Sequence, residues 1–314
     1  YIQIMSESPK FDIKEAYLKF LRDDPEMTMP VAAIEALLTM LKIKQPNTSS
    51  ELVRLMNDAT KQLKSSVSNA ISLSAGCDLF MRFILRNVHL YSDWESCKKH
   101  LVQNGQLFLQ RAKDSRYRIA RVGINFINDD DTILVHSYSR VVLSLLEYAK
   151  SKFVRFRVFV TEACPDKGES NGVRMAHSLK AIGIPVCLIP DSQVGFVINK
   201  VDKVFMGAEG VSESGGIINH MGSFQIGVLA KNAKKPLYVV AESHKFVRMF
   251  PLAQDDLPSE LGTKLTFTTD QNVGLVDHPN VDFTPHQYIT ALISDLGVLT
   301  PSAVSEELIK MWYD

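Results

Sequence analysis

The later part of the chain alternates between apolar stretches rich in branched side chains and stretches with helical spacing. After Asp129-Asp130-Asp131 the pattern predicts strands at 132–136, 155–161, 185–189, 203–208 and 237–241, and helices at 140–151, 172–182, 193–199 and 223–233. Such alternation is typical of βαβ units, whose right-handed crossovers wind the strands into a doubly wound, mostly parallel sheet. We therefore predict a Rossmann-like α/β domain over residues 113–314.

One segment of this domain, residues 204–219, combines an apolar strand with a glycine-rich loop. Its strand reads Val-Phe-Met without alternation, as expected of a parallel strand covered on both faces. Glycines at 207, 210, 215 and 216 follow in a polar loop, which is predicted to run on into the next helix. Backbone amides at a helix start beside glycines can cradle an anion such as phosphate. The alternative interpretation is that these glycines only form a tight turn.

Polar side chains follow each of the five predicted strands. Because the carboxyl ends of parallel strands meet at one edge of a sheet, ligands bind in the crevice outside that edge. We predict a polar pocket there for a small phosphorylated, hydroxyl-rich ligand or a nucleotide. Its candidate lining residues are Ser137, Tyr138, Ser139, Arg140, Thr161, Glu162, Glu209, Gly210, Asn219 and Lys245. The alternative is that these strand ends are solvated loops.

The first part of the chain, residues 1–112, has helical spacing and is predicted to form an N-terminal helical bundle. Apolar residues predict one helix after Pro30, a second opened by Ser50 and Glu51, and a third over 76–88. The capping-box spacing of Ser92 and Glu95 predicts a fourth. A separate helix around Ile119 and Phe126 is expected to lead into the sheet. No residue of this part suggests catalysis.

The C-terminal part has a weaker pattern. Residues 246–250 alternate and predict a further strand, 251–280 predict a long loop, and 289–299 predict a buried apolar segment. Thr300 and Pro301 have the order of an N-cap and first helical residue, so a final helix is expected through Met311.

Charge and cysteine content exclude several classes of function. The 35 basic and 35 acidic residues give a formal net charge of zero, which argues against nucleic-acid or membrane-surface binding through bulk charge. No apolar run reaches the length of a membrane span, and no signal-peptide pattern is found. The four cysteines are widely spaced without a C-x-x-C pair. We expect a cytosolic protein with reduced thiols, no disulfide framework and no metal site.

Several longer segments resemble those of a known protein family and occur in the same order along the chain. They are Gly-Ala-Glu-Gly-Val at 207–211, Gly-Gly-Ile-Ile-Asn at 215–219, Val-Ala-Glu-Ser-His-Lys-Phe-Val-Arg at 240–248 and Asp-Leu-Gly-Val-Leu-Thr-Pro at 295–301. From about residue 11 to 314 the chain resembles the alpha-subunit family of eukaryotic translation initiation factor 2B. Thr-Met-Pro at 28–30, residues 74–83 and the tail at 310–314 resemble its fungal members.

This resemblance implies a regulatory, non-catalytic subunit of the guanine-nucleotide exchange factor for initiation factor 2. It implies a homodimer through the Rossmann-like domain, bridging two halves of a decamer that also contains beta, gamma, delta and epsilon subunits. It further implies a role in sensing the phosphorylated alpha subunit of initiation factor 2. Thr48 and Glu51 match positions associated with that regulation; from the residues alone they are equally a helix cap and a first-turn acid. No cofactor, nucleic acid or membrane is implied.

The wider superfamily includes sugar-phosphate aldose–ketose isomerases, which resemble this chain in domain order. Those enzymes carry a cysteine after the first strand and an aspartate in the Gly-Ala-Asp motif after the fourth, where this chain has Ser137 and Glu209. A serine is a much poorer proton donor than a thiol at neutral pH. The resemblance thus implies that isomerase chemistry is lost while the pocket can still bind a sugar phosphate or nucleotide. The alternative is an active isomerase that uses Glu209 with Ser137 or Cys164.

Overall fold

The structure is a computed structural model that describes residues 11–44, 46–67, 71–88, 93–163, 170–258 and 280–313. Residues 312 and 313 are described by their backbone only. The chain divides into two compact units, Tyr1–Lys113 and Asp114–Asp314. The division falls within a long helix, and each unit has its own hydrophobic core.

The first unit is built from helices. They are α1 (Ile13–Asp23), α2 (Met29–Lys44), α3 (Ser49–Lys64), α4 (Ile71–Asn87) and the first part of α5 (Trp94–Gly123). Helix α2 is apolar almost all round, and Ala32, Ile34 and Leu37 on different faces of it are fully buried, as expected of a central helix. Helix α3 buries only the face that carries Leu52, Met56 and Leu63. The predicted helical bundle is confirmed.

Two predicted boundaries in this unit are wrong. Helix α4 begins at Ile71 rather than at residue 76. Helix α5 begins after Asp93, whose carboxylate accepts a 2.8 Å bond from the Ser96 amide; Ser92 lies outside the described residues. The separate helix predicted around Ile119 is the end of α5, because no proline interrupts residues 94–123 and Gly105 fits closely against Leu38.

The second unit contains all the strands found in the described residues. They are β1 (Asp131–His136), β2 (Phe156–Thr161), β3 (Val186–Ile189), β4 (Lys203–Met206), β5 (Gly210–Val211), β6 (Ile217–His220), β7 (Leu237–Val240), β8 (Val281–Thr284), β9 (Ala291–Ser294) and β10 (Gly297–Leu299). Seven of them form one sheet in the order β10-β9-β7-β4-β1-β2-β3. Its neighbouring strands are parallel except for the β9–β10 hairpin.

Helices cover both faces of this sheet, so the predicted doubly wound architecture is confirmed. The end of α5, α6 (Arg140–Ser151) and α7 (Asn171–Ala181) pack on one face; α8 (Val194–Val197), α9 (Ser223–Asn232) and α10 (Val304–Tyr313) pack on the other. Strand β1 contributes to both cores, since Ile133 and Val135 point to one and Leu134 to the other.

The sequence predicted that the glycine-rich segment runs directly into α9. The structure instead places the short strands β5 and β6 between them. Strand β5 turns back through Gly215, with φ +77°, and pairs antiparallel with β6, which in turn pairs with β8. A Cβ on Gly215 would overlap the Pro301 backbone, so this turn requires glycine. The result is a small second sheet between β4 and the start of α9.

Two further predictions for the C-terminal part need correction. Residues 246–250 form no strand. An isolated bridge joins Phe246 to Val211, and the chain then turns, because the Met249 amide donates to the Val247 carbonyl at 2.9 Å. The apolar stretch 289–299 contains the β9–β10 hairpin, which turns at Asp295 and Leu296 and continues from Gly297, at φ +119°. Helix α10 begins at Val304 after a short 3-10 turn at Pro301–Ala303. Most of the predicted loop 251–280 lies outside the described residues.

Candidate functional site

The strand order places a crevice between β1 and β4. From β1 the chain moves outwards through β2 and β3, then returns to the other side of β1 for β4, β7 and β9. Ligands of open α/β sheets bind at this reversal point, outside the carboxyl ends of the strands. The loops after β1 and β4 approach each other closely here, since a Cβ on Gly207 would overlap the Ser139 hydroxyl.

Ser137 lies at the centre of this edge, directly after β1. Its side chain is buried, with 1% of its surface exposed, and its backbone is left-handed at φ +60°. Its hydroxyl forms no hydrogen bond with any described residue. A buried polar group without a partner is uncommon and requires an explanation, such as a bound molecule. Its neighbour Ser139 caps α6 by accepting a 3.4 Å bond from the Val142 amide.

His136, the last residue of β1, joins three segments of the site. Its Nε2 lies 3.0 Å from the Met221 carbonyl oxygen and must donate to it, and its Nδ1 lies 2.6 Å from the Thr161 hydroxyl. Burial lowers the pKa of His136 to about 4, and the neighbouring His220 adds to this effect. The ring is therefore neutral at pH 7, with Nδ1 accepting the Thr161 proton.

Asp191, after β3, faces the same group of side chains. Its Oδ1 lies 3.7 Å from His136 Nδ1 and has no hydrogen-bond partner in the described protein. Thr161 has one hydroxyl proton, which His136 uses, so it cannot satisfy this oxygen as well. Burial raises the pKa of Asp191. The carboxyl edge thus carries a second buried polar atom that remains available to a ligand.

The start of α9 does not offer the free anion cradle that the sequence suggested. Asp282 of β8 occupies it, because its Oδ2 accepts bonds from the Gly222 amide at 2.8 Å and the Phe224 amide at 3.1 Å. Burial raises the pKa of Asp282 to about 6, although these amides favour its ionised form. The chain therefore supplies its own carboxylate to this helix N-terminus, where a dipole favours negative charge.

The loop after β7 forms a buried charged cluster. Glu242 lies 3.4 Å from Arg116 Nε and 3.3 Å from Lys245 Nζ. Lys245 Nζ also donates to the Ala208 carbonyl at 2.9 Å, which joins this loop to the loop after β4. Burial opposes the charge of Glu242, but Lys245, His244 and Arg116 outweigh it and lower the pKa to about 2. His244 is buried as well, and its Nε2 has no partner among the described residues.

The motif after β4 places a carboxylate and an imidazole at the mouth of the site. Glu209 Oε1 lies 4.0 Å from His220 Nε2, and both side chains are partly exposed. Asn219 donates to the Ser223 hydroxyl at 2.9 Å. Gly210 belongs to β5, where it pairs with Ile218.

The remaining predicted residues lie around this group. Tyr138 receives the Arg174 guanidinium over its ring at 4.1 Å. Arg140 is the first residue of α6, and the Glu162 side chain is exposed to solvent. His136, Asp191, Glu242, His244 and Asp282 were missed as candidates. The first four lie at or just after the carboxyl ends of predicted strands, a position that could have identified them as candidates. Asp282 lies in a segment with no recognisable sequence pattern.

Thr48 and Glu51 lie in the first unit and both take part in the cap of α3. Thr48 accepts a 3.1 Å bond from the Glu51 amide, and Glu51 accepts a 2.9 Å bond from the Asn47 amide. Thr48, rather than Ser50, is therefore the N-cap. A groove of about 590 Å³ lies beside this cap between α3 and α4; its lining includes Ser49, Ser50, Arg54, Lys61 and Leu85.

The described residues contain neither a candidate metal site nor a candidate membrane span. No group of three His, Cys, Asp or Glu side chains among them is placed to hold a metal ion. None of the helices in this part of the chain combines the length and apolar character that crossing a membrane requires.

Comparison with known proteins gives matches along nearly the whole chain. The translation initiation factor eIF2B subunit alpha of Dictyostelium discoideum is 40% identical over 306 residues, which cover 94% of each chain. The ribose 1,5-bisphosphate isomerase of Pyrococcus furiosus is 28% identical and covers 88% of this chain and 86% of its own. A chain of the tetrameric eIF2B-beta2-delta2 complex from C. thermophilum superposes with a TM-score of 0.75 at 18% identity, covering 94% and 93% of the two chains.

A family model also matches most of the chain. Residues 22–301, which span the helical unit and most of the α/β unit, match the model of the initiation factor 2 subunit family. The chain belongs to the initiation factor 2 subunit family.

Proposed function

We propose that this chain is the regulatory, non-catalytic alpha subunit of the guanine-nucleotide exchange factor for translation initiation factor 2, acting in the cytosol. The observation that carries the proposal is the 40% identity with a subunit alpha over 94% of both chains. The beta and delta subunits are its partners in the regulatory part of the factor, and gamma and epsilon carry out exchange.

The geometry of the crevice supports the absence of isomerase chemistry. Moving a proton between adjacent carbons needs an acid/base pair that exchanges protons near pH 7. Ser137 supplies a hydroxyl at the position where the related isomerases carry a thiol. Cys77, Cys97 and Cys187 lie elsewhere, and Cys164, which the isomerase alternative invokes, lies outside the described residues. Glu209 faces His220 rather than a thiol.

The crevice nevertheless retains features of a binding site. Buried polar atoms without a hydrogen-bond partner among the described residues occur at Ser137, Asp191 and His244, in the loops that follow β1, β3 and β7. Fold stability alone does not explain them, whereas a small sugar phosphate or nucleotide with hydroxyl groups would supply partners. We infer that the pocket still binds such a metabolite without converting it.

The groove between α3 and α4 supports a role of the first unit in sensing phosphorylated substrate. Arg54 and Lys61 bring positive charge to it, next to the cap formed by Thr48 and Glu51. Changes at Thr48 or Glu51 would alter the start of α3 and so the wall of this groove. We infer that the phosphorylated alpha subunit of initiation factor 2 contacts this region.

The alternative, an active sugar-phosphate isomerase, is suggested by the 28% identity with the isomerase of Pyrococcus furiosus. Incubation of the purified chain with ribose 1,5-bisphosphate decides between the two. We expect no turnover above background, together with a rise in the thermal midpoint, since a ligand at a hundred times its dissociation constant adds about 2.7 kcal/mol. Turnover would contradict the proposal.

The assembly is tested by measuring the mass of the chain in solution, alone and mixed with beta and delta subunits. We expect a homodimer alone and a larger complex in the mixture. A monomer that remains separate from both subunits would contradict the proposed function.

A further inference from the structure

Three polar side chains lie side by side at the carboxyl ends of β1, β2 and β3. The sheet register pairs His136 of β1 with Thr161 of β2. Asp191 follows β3, two residues after the partner of Thr161. The Thr161 hydroxyl lies 2.6 Å from His136 Nδ1, and Asp191 Oδ1 lies 3.7 Å from the same nitrogen. The three groups therefore form one cluster at the edge of the main sheet.

This cluster has one proton fewer than its acceptors require. His136 Nε2 lies 3.0 Å from the Met221 carbonyl oxygen and carries the ring proton, so Nδ1 of the neutral ring is an acceptor. An ionised Asp191 is an acceptor as well, and Thr161 brings a single proton for both. Asp191 Oδ1 is buried and has no hydrogen-bond partner among the described residues. The missing donor has to come from outside these three side chains.

Asp191 carries a negative charge without a cation to balance it. Burial raises the pKa of Asp191, and the Thr161 hydroxyl and Ala163 amide oppose this by favouring the charged form. Large shifts require complete burial, whereas 36% of the Asp191 side chain is exposed, so the group is ionised at neutral pH. Within the described chain its one ion-pair contact is His136, which is neutral. This charge repels a phosphate and attracts the proton of a hydroxyl group.

Ser137, directly after β1, holds a second unsatisfied group. Its hydroxyl is buried and bonds to none of the described residues. A strained serine between a strand and a helix, here at φ +60°, is also the geometry of some nucleophilic serines. Such a nucleophile needs an adjacent base, but both nitrogens of His136 are engaged, by Met221 and Thr161. Ser137 is therefore a binding group and not a nucleophile.

We propose that Asp191 determines which ligands the retained pocket accepts: its Oδ1 accepts a hydrogen bond from a ligand hydroxyl, and the Ser137 hydroxyl binds a second oxygen of the same ligand. The inference rests on the pocket proposed above. The ligand class is a phosphorylated polyol with free hydroxyl groups, a chemistry that a pentose phosphate and a ribonucleotide share. Its hydroxyl end faces Asp191, and its phosphate is directed away from β3 because the carboxylate repels it.

Isothermal titration calorimetry of the full-length chain with ribose 5-phosphate and with AMP tests this assignment. Asp191→Asn should weaken binding of at least one probe by about tenfold to a hundredfold, as expected when a hydrogen bond to a charged acceptor is lost. The probe that is affected shows whether the ligand is a pentose phosphate or a ribonucleotide. Without ligand, Asp191→Asn should keep or raise the thermal midpoint, because the asparagine amide supplies the donor that the cluster lacks. A structural role of Asp191 would instead lower the midpoint.

Two further variants and a third probe serve as controls. Ser192→Ala alters an exposed residue beside Asp191 and should change neither affinity nor thermal midpoint. Ser137→Ala should weaken binding by about two- to tenfold without lowering the midpoint, because it removes a buried hydroxyl that has no partner in the described protein. Inorganic phosphate, which has no alcohol group, should give the same response with the natural chain and with Asp191→Asn.

Three results would overturn the assignment. Equal affinity of the natural chain and Asp191→Asn for the probe that binds would mean that another donor, such as water, already satisfies Asp191. Tighter binding to Asp191→Asn would place the phosphate at this carboxylate. If neither probe binds the natural chain, the hydroxyl subsite and the retained pocket fail together, whereas the subunit role, which the mass in solution tests, stands.

Discussion

The Asp282 carboxylate accepts a 2.8 Å hydrogen bond from the backbone amide of Gly222 at the start of α9. Gly222 is left-handed at φ +104°, and a Cβ added there would lie 3.1 Å from the His136 ring. A phosphate could bind these amides only by displacing Asp282. The polar atoms open to a ligand are therefore those at the strand ends, above all the hydroxyl of Ser137.

Replacing Asp282 with asparagine should change how stability depends on pH. Asparagine can still accept from both amides, but it does not titrate. Because the folded pKa of Asp282 is raised to about 6, its contribution is present below about pH 4 and is lost as pH rises through 6. Urea unfolding at pH 5 and pH 7.5 should therefore show that, between these pH values, the free energy of unfolding of the natural chain falls relative to that of Asp282→Asn by on the order of 1 kcal/mol.

If the difference in unfolding free energy between Asp282→Asn and the natural chain is the same at both pH values, Asp282 does not titrate in this range. His136, whose pKa is shifted in the opposite direction, is present in both proteins and cancels from the difference.

Gly215→Ala should destabilise the α/β unit more than Gly183→Ala. Both glycines are left-handed, at φ +77° and φ +75°, so both substitutions carry the backbone cost of about 1 kcal/mol. A Cβ at 215 also overlaps the Pro301 backbone, whereas a Cβ at 183 meets nothing within 4 Å. Overlap of this kind adds about 1–3 kcal/mol. Equal losses in chemical unfolding would mean that the turn at Gly215 is not packed as described.

Glu242→Ala should be among the most destabilising substitutions in the unit. It leaves the charges of Lys245 and Arg116 without their buried partner, which typically costs about 3–5 kcal/mol. The control Glu307→Ala removes a surface pair with Lys310 and should cost less than about 1 kcal/mol.

Acid unfolding gives a second readout for Glu242. Its pKa is lowered to about 2 in the fold, so its contribution is present above its ordinary pKa of about 4.3 and is lost as pH falls towards 2. The natural chain should lose stability over this range more steeply than Glu242→Ala. Parallel curves would argue that the cluster is not charged as described.

Thr48→Ala should destabilise the first unit by about 1 kcal/mol, because it removes the N-cap of α3. Ser50→Ala, in the first turn but without the capping bond, should change stability by less than about 0.5 kcal/mol. Thr48→Ser keeps a capping hydroxyl and should preserve both stability and the response to phosphorylated substrate. A normal thermal midpoint with a lost response in Thr48→Ser would indicate a direct contact by the threonine methyl group.

The sequence predicted the parts of the fold that depend on local pattern. The five parallel strands and helices α6, α7 and α9 were placed within a few residues, since their apolar spacing is continuous. The short strands β5, β6 and β8 were missed because their pairing joins Gly210, Ile218 and Phe283, which are distant along the chain. The role of Asp282 depends on that same pairing, which puts β8 beside the start of α9. Local sequence propensity predicts neither the pairing of β5, β6 and β8 nor the role of Asp282.

A nucleotide-exchange assay distinguishes a regulatory subunit from a catalytic one. Nucleotide exchange on initiation factor 2 is measured with complexes that contain or lack this chain, and with substrate that is phosphorylated or unphosphorylated on its alpha subunit. We expect that exchange on unphosphorylated substrate continues without the chain and that inhibition by phosphorylated substrate becomes weaker. Loss of basal exchange, or inhibition of unchanged strength, would contradict the regulatory role.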